Sequence, residues 1–227
     1  MHAVIVGGTS GIGLAAAKRI ADEGHDVTVT GRDEAKIAAV PAPIKGERLD
    51  GTHRDAVADF FGRTGKVDHL VLAFSPGPVG VGALADLDPA DIRTAFEGKL
   101  FAYLDIIARA RVTGSITMIS AASARAAAAG TVALSAVNGA IERVIPPLAA
   151  ELAPVRVNAV SPGVIDTPWW SSFPAEARQA QFEELAAATP TGRIGDDTDV
   201  AAAIAYVIGA TFVTGTVLPV DGGLTHA

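Results

Sequence analysis

The seven residues GGTSGIG, Gly7 to Gly13, have the types and spacing to hold a phosphate. They follow the apolar run AVIV and precede LAAAKRIADEG, so the glycines sit where a strand gives way to a helix. Gly7 permits the tight turn, Gly11 lets the backbone approach a pyrophosphate, and Gly13 lets helix and strand pack closely. Thr9, Ser10 and Ile12 stand between the glycines, and the first backbone N–H groups of a helix have no partner of their own, so the loop offers donors to an anion. Dinucleotide binding is the chemistry this implies. Other chemistry is sparse. There is no cysteine, which removes disulfides and thiolate zinc sites and fits a reducing cytoplasm. His25, His53 and His69 lack metal-ligand spacing and suit surface or turn positions; no metal is expected.

Such a loop needs a sheet to carry it. Short β-branched runs, AVIV at 3–6, DVTVT at 26–30, HLVLA at 69–73, SITMI at 115–119, VRVNAV at 155–160 and TVLPV at 216–220, alternate with Ala-rich stretches. Helices are predicted at about 11–23, 53–63, 89–111, 132–153 and 198–209. The strands are apolar nearly throughout, as strands covered by helices on both faces must be. The fold class is therefore α/β: one Rossmann-type doubly wound parallel sheet of about seven strands flanked by helices. ASARAAAAG at 122–130 reads as a loop leading into a helix.

The bulk numbers agree. A chain of 227 residues, 49% hydrophobic and 19% charged, can bury its core as one domain, taken here as 1–227. The net charge of -7 and the lack of any Lys/Arg run point away from nucleic acid and anionic membranes and toward small molecules. Val200 to Val220 carries no charge, but its glycines, Pro219 and threonines make it a buried helix followed by a buried strand rather than a membrane span. MHAVIVGG lacks the features of a signal peptide.

The spacing G-x-x-x-G-x-G resembles that of the short-chain dehydrogenase/reductase family, and the resemblance runs along almost the whole chain. It implies that Asp50 reaches an adenine, and that Ala73 lies along the cofactor. VRVNAVSPGVIDTP at 155–168 is similar to the stretch in which Pro162, Gly163, Ile165 and Thr167 cradle a nicotinamide. GRIGDDTDVA at 192–201 and VTGTVLPVDGG at 213–223 resemble the family's closing segments. The family selects NAD through an acid at the position of Gly31, where a carboxylate repels a 2′-phosphate; here Arg32 follows and can pair with that phosphate, so NADP(H) is expected ahead of NAD(H).

The resemblance also implies a Tyr-x-x-x-Lys pair, a serine thirteen positions before the tyrosine, and an asparagine on the preceding helix. VALSAVNGAIE puts Leu134 and Asn138 at the pair; MISAAS puts Ala121 at the serine; AFEGKLFAYL puts Lys99 at the asparagine. All four positions have changed, with Lys and Asn exchanged between 138 and 99. Lys99, Asn138 and the loop hydroxyl Ser123 become the candidate catalytic groups. Lys99 would bring a cation beneath a ribose held by Asn138, unless it snorkels to solvent or pairs with an acidic neighbour. Phe74, Ala121, Leu134, Trp169 and Trp170 would line an oily substrate pocket, with Phe173 and a lid at about 166–192.

Two functions follow. One is an NADP(H)-dependent oxidoreductase with a non-standard site, acting on a small apolar ketone, imine or activated alkene. The alternative is a catalytically inactive NADP(H)-binding protein acting as sensor or structural subunit. The resemblance further implies a homotetramer or homodimer built partly from the helices at 89–111 and 132–153.

Overall fold

The computed structural model describes residues 1–226. Seven parallel strands form the sheet: β1 His2–Val6, β2 Asp26–Gly31, β3 Lys45–Arg48, β4 Lys66–Leu72, β5 Arg111–Ile119, β6 Arg156–Pro162 and β7 Val217–Val220, in the order β3-β2-β1-β4-β5-β6-β7. Chain order reverses between β1 and β4; Val6 of β1 pairs with Thr30 of β2 on one side and with Leu72 of β4 on the other. A doubly wound sheet opens its crevice at the carboxyl ends of the strands flanking such a reversal.

Alternation within β1 shows how one strand serves two cores. Val4 and Val6 join the cluster containing Phe60, Tyr103 and Ile141, while Ala3 and Ile5 join the one containing Ala16, Ile20, Val200 and Ile204. The first cluster is closed by helices α3 (Arg54–Thr64), α4 (89–109) and α5 (Val132–Glu151). The second is closed by α1 (Gly11–Asp22) and α7 (Asp197–Gly209). Local chemistry sets several helix starts. The Asp33 carboxylate accepts the Ala35 and Lys36 N–H groups before the short α2 (Glu34–Ala38), His53 Nδ1 accepts Ala56 N–H, and Asp196 and Asp199 form a capping box on α7.

Three expectations need correction. His69 is not at the surface or in a turn: β4 begins at Lys66, so His69 falls mid-strand, is 5% exposed, and shares a 2.8 Å hydrogen bond between Nδ1 and Ser115 Oγ. Burial holds its pKa below the usual imidazole value. Val217–Val220 is half-buried, because β7 is the edge strand. The third is a helix absent from the sequence reading, α6 (Ala175–Ala188), which lies within the expected lid. Among the described residues no helix is long and apolar enough to cross a membrane.

Helix α4 is not uniform. It runs as an α-helix through Pro89–Ala95, widens into a π-helical turn over Phe96–Phe101, and resumes as Ala102–Arg109. A π-helical turn lengthens the local ring and turns a side chain away from the position a continuous α-helix would give it. Lys99 is in that turn.

Candidate active site

The glycine turn is closed by contact rather than by composition alone. Gly7 and Gly8 N–H groups donate to Thr30 O, drawing the turn over the end of β2. Gly7 has φ +85° and Gly11 φ +49°, conformations that L side chains rarely adopt. A Cβ on Gly13 would lie 2.2 Å from Gly7 O, so the first turn of α1 can approach the loop only with glycine there. Ser10 is the N-cap of α1, and its side chain makes no capping bond. The backbone donors of that first turn therefore stay available to an anion.

Two further segments come up to this turn. A Cβ on Gly7 would meet Ala73 O at 2.7 Å, and one on Gly11 would meet Thr167 at 3.4 Å, so the end of β4 and the segment after β6 both reach the loop. Gly163 N–H donates to Val220 O, and Ile165–Asp166 pairs with Gly195–Asp196, which anchors that segment at both ends. Pro162 and Ile165 are buried. At the other end, Asp50 Oδ1 accepts from Thr52 N and Oγ1, bonds that lower its pKa against the desolvation of the carboxylate. Arg32 and Gly51 line one groove of about 590 Å³. Phe74 stacks edge-on against Tyr103 at 5.0 Å and fills the space a Gly51 side chain would need.

Beneath the carboxyl ends of β5 and β6 lies a buried polar cluster. Lys99, 7% exposed, donates from Nζ to Asn138 Oδ1 at 2.6 Å and to Ser120 O at 3.3 Å. Asn138, 3% exposed, donates from Nδ2 to Ser123 Oγ at 3.1 Å and to Leu134 O at 2.9 Å. The three polar candidates of the sequence reading thus meet in one chain, Lys99 to Asn138 to Ser123. Lys99 does not snorkel to solvent, and among the described residues it forms no salt bridge. Desolvation takes its pKa down to about 7, although the Glu142 carboxylate pulls the other way. Both amide N–H groups of Asn138 are engaged, so Oδ1 is the atom left to meet a further donor.

Ala121 is half-buried at the end of β5, and Leu134 is half-buried in the first turn of α5. Trp169, Trp170 and Phe173 pack on one another with centroids 4.8 to 6.0 Å apart. Trp170 also meets Phe182 of α6 edge-on at 5.3 Å and donates from Nε1 to Ile165 O. The tryptophans are thus tied to the segment that touches the glycine turn.

The sequence reading missed Glu142. Its Oε1 accepts from Ser120 Oγ at 2.9 Å and Ser161 Oγ at 2.8 Å, and its Oε2 pairs with Arg125 at 3.3 Å. One signal was available: Glu142 lies four residues after Asn138, on the same helix face.

A parallel doubly wound sheet with a glycine turn at its first strand and a polar cluster at its carboxyl edge defines a Rossmann-type dinucleotide-binding protein. Residues 6–225 match the family model described as enoyl-(acyl carrier protein) reductase. The chain is 32% identical to an uncharacterized oxidoreductase of Mycobacterium tuberculosis over 98% of its own length and 91% of the relative's. It is likewise 32% identical to the cis-4-hydroxycyclohexanecarboxylate dehydrogenase of Sinomonas cyclohexanicum, over 98% and 96%. A crystal structure of a small-chain dehydrogenase in complex with NADPH superposes with a TM-score of 0.88 at 30% identity, covering 100% of this chain and 99% of that one. The chain belongs to the short-chain dehydrogenase/reductase family of oxidoreductases.

Proposed function

We propose that the protein is an NADP(H)-dependent oxidoreductase whose site substitutes all four positions of the family's catalytic tetrad, with Leu134, Asn138, Ala121 and Lys99 standing where the tyrosine, lysine, serine and asparagine would be. The observation that carries this reading is the buried Lys99–Asn138 hydrogen bond of 2.6 Å, which places a cationic group and its acceptor together at the carboxyl edge of the sheet. A site that had merely decayed would have little reason to acquire a lysine at 7% exposure where the family has an asparagine, since a buried amine costs free energy whether it keeps its charge or gives up its proton.

The residues present fit a dinucleotide. With Gly7 closing the turn through its bond to Thr30 O, Thr9, Ser10, Gly11, Ile12 and Gly13 would hold the pyrophosphate on backbone donors. Asp50 and Ala73 would flank the adenosine, and Pro162, Gly163, Ile165 and Thr167 the nicotinamide. Arg32 is exposed beside the groove and free to meet a 2′-phosphate, and the space an acidic side chain at 31 would occupy is filled by Thr9. The NADPH complex among the similar structures supports the same cofactor. Bound there, the cofactor supplies or accepts a hydride.

The protein's own contribution is polarisation and exclusion of water. With its pKa at about 7, Lys99 is protonated in about half of the molecules at neutral pH, and in that form its ammonium has three donors, of which Asn138 and Ser120 take two. The third has no protein acceptor among the described residues and can meet a ribose hydroxyl or a substrate oxygen. Ser123 accepts from Asn138, so its own O–H is free to donate. Orientation beside the cofactor supplies much of a rate enhancement, while a positioned acid adds about 10²–10⁴-fold. Substrates needing little protonation therefore suit the site: a small apolar ketone, imine or activated alkene, bounded by Leu134 and Ala121 and covered by Trp169 and Trp170 on a lid at about 166–192. Asn138 Oδ1 would accept from the ribose.

The test is NADPH consumption against ketones, aldehydes, cyclic imines and activated alkenes, with NADH in parallel, for the wild type and Lys99→Met. Turnover of one class preferring NADPH, lost in the variant, is the expected result. NADPH binding without turnover of any class would establish a cofactor-binding protein without hydride chemistry. Turnover unchanged by Lys99→Met would remove Lys99 from the site.

A further inference from the structure

Glu142 is partly buried, bears a carboxylate, and has no part in the chemistry above. Its side chain is 13% exposed, yet it contacts three separate segments. Ser120 belongs to the end of β5, Ser161 to β6, and Arg125 to the loop 121–131 that also carries Ser123. Ser120 is shared: its hydroxyl donates to Glu142 while its carbonyl accepts from Lys99 Nζ. A buried carboxylate is stable only when its oxygens are bonded, and here Oε1 has two hydroxyl donors and Oε2 a guanidinium. The three bonds converge on the segments that frame Lys99 and Asn138.

We infer that Glu142 is the positioning residue of this site: it locks the ends of β5 and β6 and the Ser123 loop around Lys99 and sets a buried negative charge against the Lys99 amine. The inference rests on the proposed function for its consequence in catalysis, but its physical content does not. Among the described residues the polar contacts of the Glu142 carboxylate are with Ser120, Ser161 and Arg125, so it acts through those groups and the field it exerts. Burial works against a charged Lys99, and Glu142 is the group that opposes burial. The charged groups facing this pair are Arg125, on the far oxygen of Glu142, and Lys99 itself. Removing the carboxylate charge should therefore leave Lys99 neutral over more of the physiological range, and removing Arg125 should do the reverse.

The titration of Lys99 can be followed directly by NMR of the intact protein labelled with 15N at lysine Nζ, with Lys99→Met identifying the resonance. In the wild type the midpoint should fall at about 7. Glu142→Gln keeps an acceptor for both serines and loses the charge; the midpoint should fall by about one pH unit, the low end of the effect of a nearby opposite charge. Glu142→Asp, which restores the carboxylate, should recover part of that shift, as a merely space-filling role would not require. Arg125→Met, at a partly exposed residue and suited to the case in which Glu142→Gln does not fold, should move the midpoint upward. A midpoint unmoved by Glu142→Gln, or by Arg125→Met where the first does not fold, overturns the inference. The pH profile of turnover separates the two claims: if the Lys99 midpoint shifts and the activity profile does not, Glu142 is coupled to Lys99 as inferred and the catalytic role of Lys99 fails.

Discussion

A lysine buried at 7% exposure leaves a thermodynamic trace that needs neither substrate nor cofactor. The pKa of Lys99 stands at about 7 in the folded protein against 10.5 for an ordinary lysine. Below pH 7 the amine is protonated in both folded and unfolded chains, and the folded state carries the full cost of a desolvated cation. Between pH 7 and 10.5 the unfolded chain binds the proton and the folded one does not, so this group makes stability rise with pH. Each unit in that window contributes up to about 1.4 kcal/mol, so from pH 7 to pH 9 the wild type should gain about 2 to 3 kcal/mol relative to Lys99→Met. The comparison isolates the proton. Loss of the hydrogen bonds to Asn138 and Ser120 shifts the variant by an amount nearly independent of pH, and every other titrating group is common to both proteins. Urea unfolding of both proteins at pH 6, 7, 8 and 9, with a common slope, measures the difference. Parallel stability curves would mean that Lys99 keeps an ordinary pKa and is hydrated, and the electrostatic reasoning about this site would fall with that result.

Three further outcomes follow from the same structure. Gly31→Asp alone should weaken both cofactors, because its Cβ would lie 2.6 Å from Thr9 Oγ1; Thr9→Ala with Gly31→Asp should bind NADH roughly tenfold or more tighter than NADPH by fluorescence titration. Gly13→Ala should abolish cofactor binding or folding, read by titration and circular dichroism, because no side chain rearrangement relieves a 2.2 Å approach to a backbone oxygen. Arg156→Met should lower stability by about 2 to 4 kcal/mol in urea unfolding, since the guanidinium donates to the Val207 and Ile208 carbonyls in the last turn of α7 and to Val213 O beyond it, and the variant removes that donor from all three.

The sequence by itself located six of the seven strands, most of the helices and the glycine turn, because each depends on a local rule; β3 (Lys45–Arg48) is polar and mostly exposed and offers no apolar run. Apolar runs mark strands buried on both faces, a 3.6-residue period marks the helices that cover them, and a glycine triplet between strand and helix has few other uses. Where local rules fail, the reading failed with them. Helix α6 was invisible because AEARQAQFEELAAA has no apolar stripe and buries only Phe182. His69 was misplaced by an error of a few residues in the start of β4, enough to turn an apparent end position into the middle of a buried strand.

The polar cluster was decided by tertiary structure alone. Lys99 and Asn138 are 39 residues apart, and their types do not say whether the lysine reaches solvent, an acid or an amide. That choice depends on a π-helical turn in α4 and on the spacing of two helices across a sheet, which are properties of packing rather than of any window of sequence. Glu142 shows the same limit: its partners lie 17 to 22 residues away on three segments, and only the closed sheet edge brings two hydroxyls and a guanidinium to one carboxylate. Burial then gives these contacts their force, because desolvation holds the Lys99 pKa far below that of a lysine in water, with the Glu142 carboxylate acting in the opposite direction.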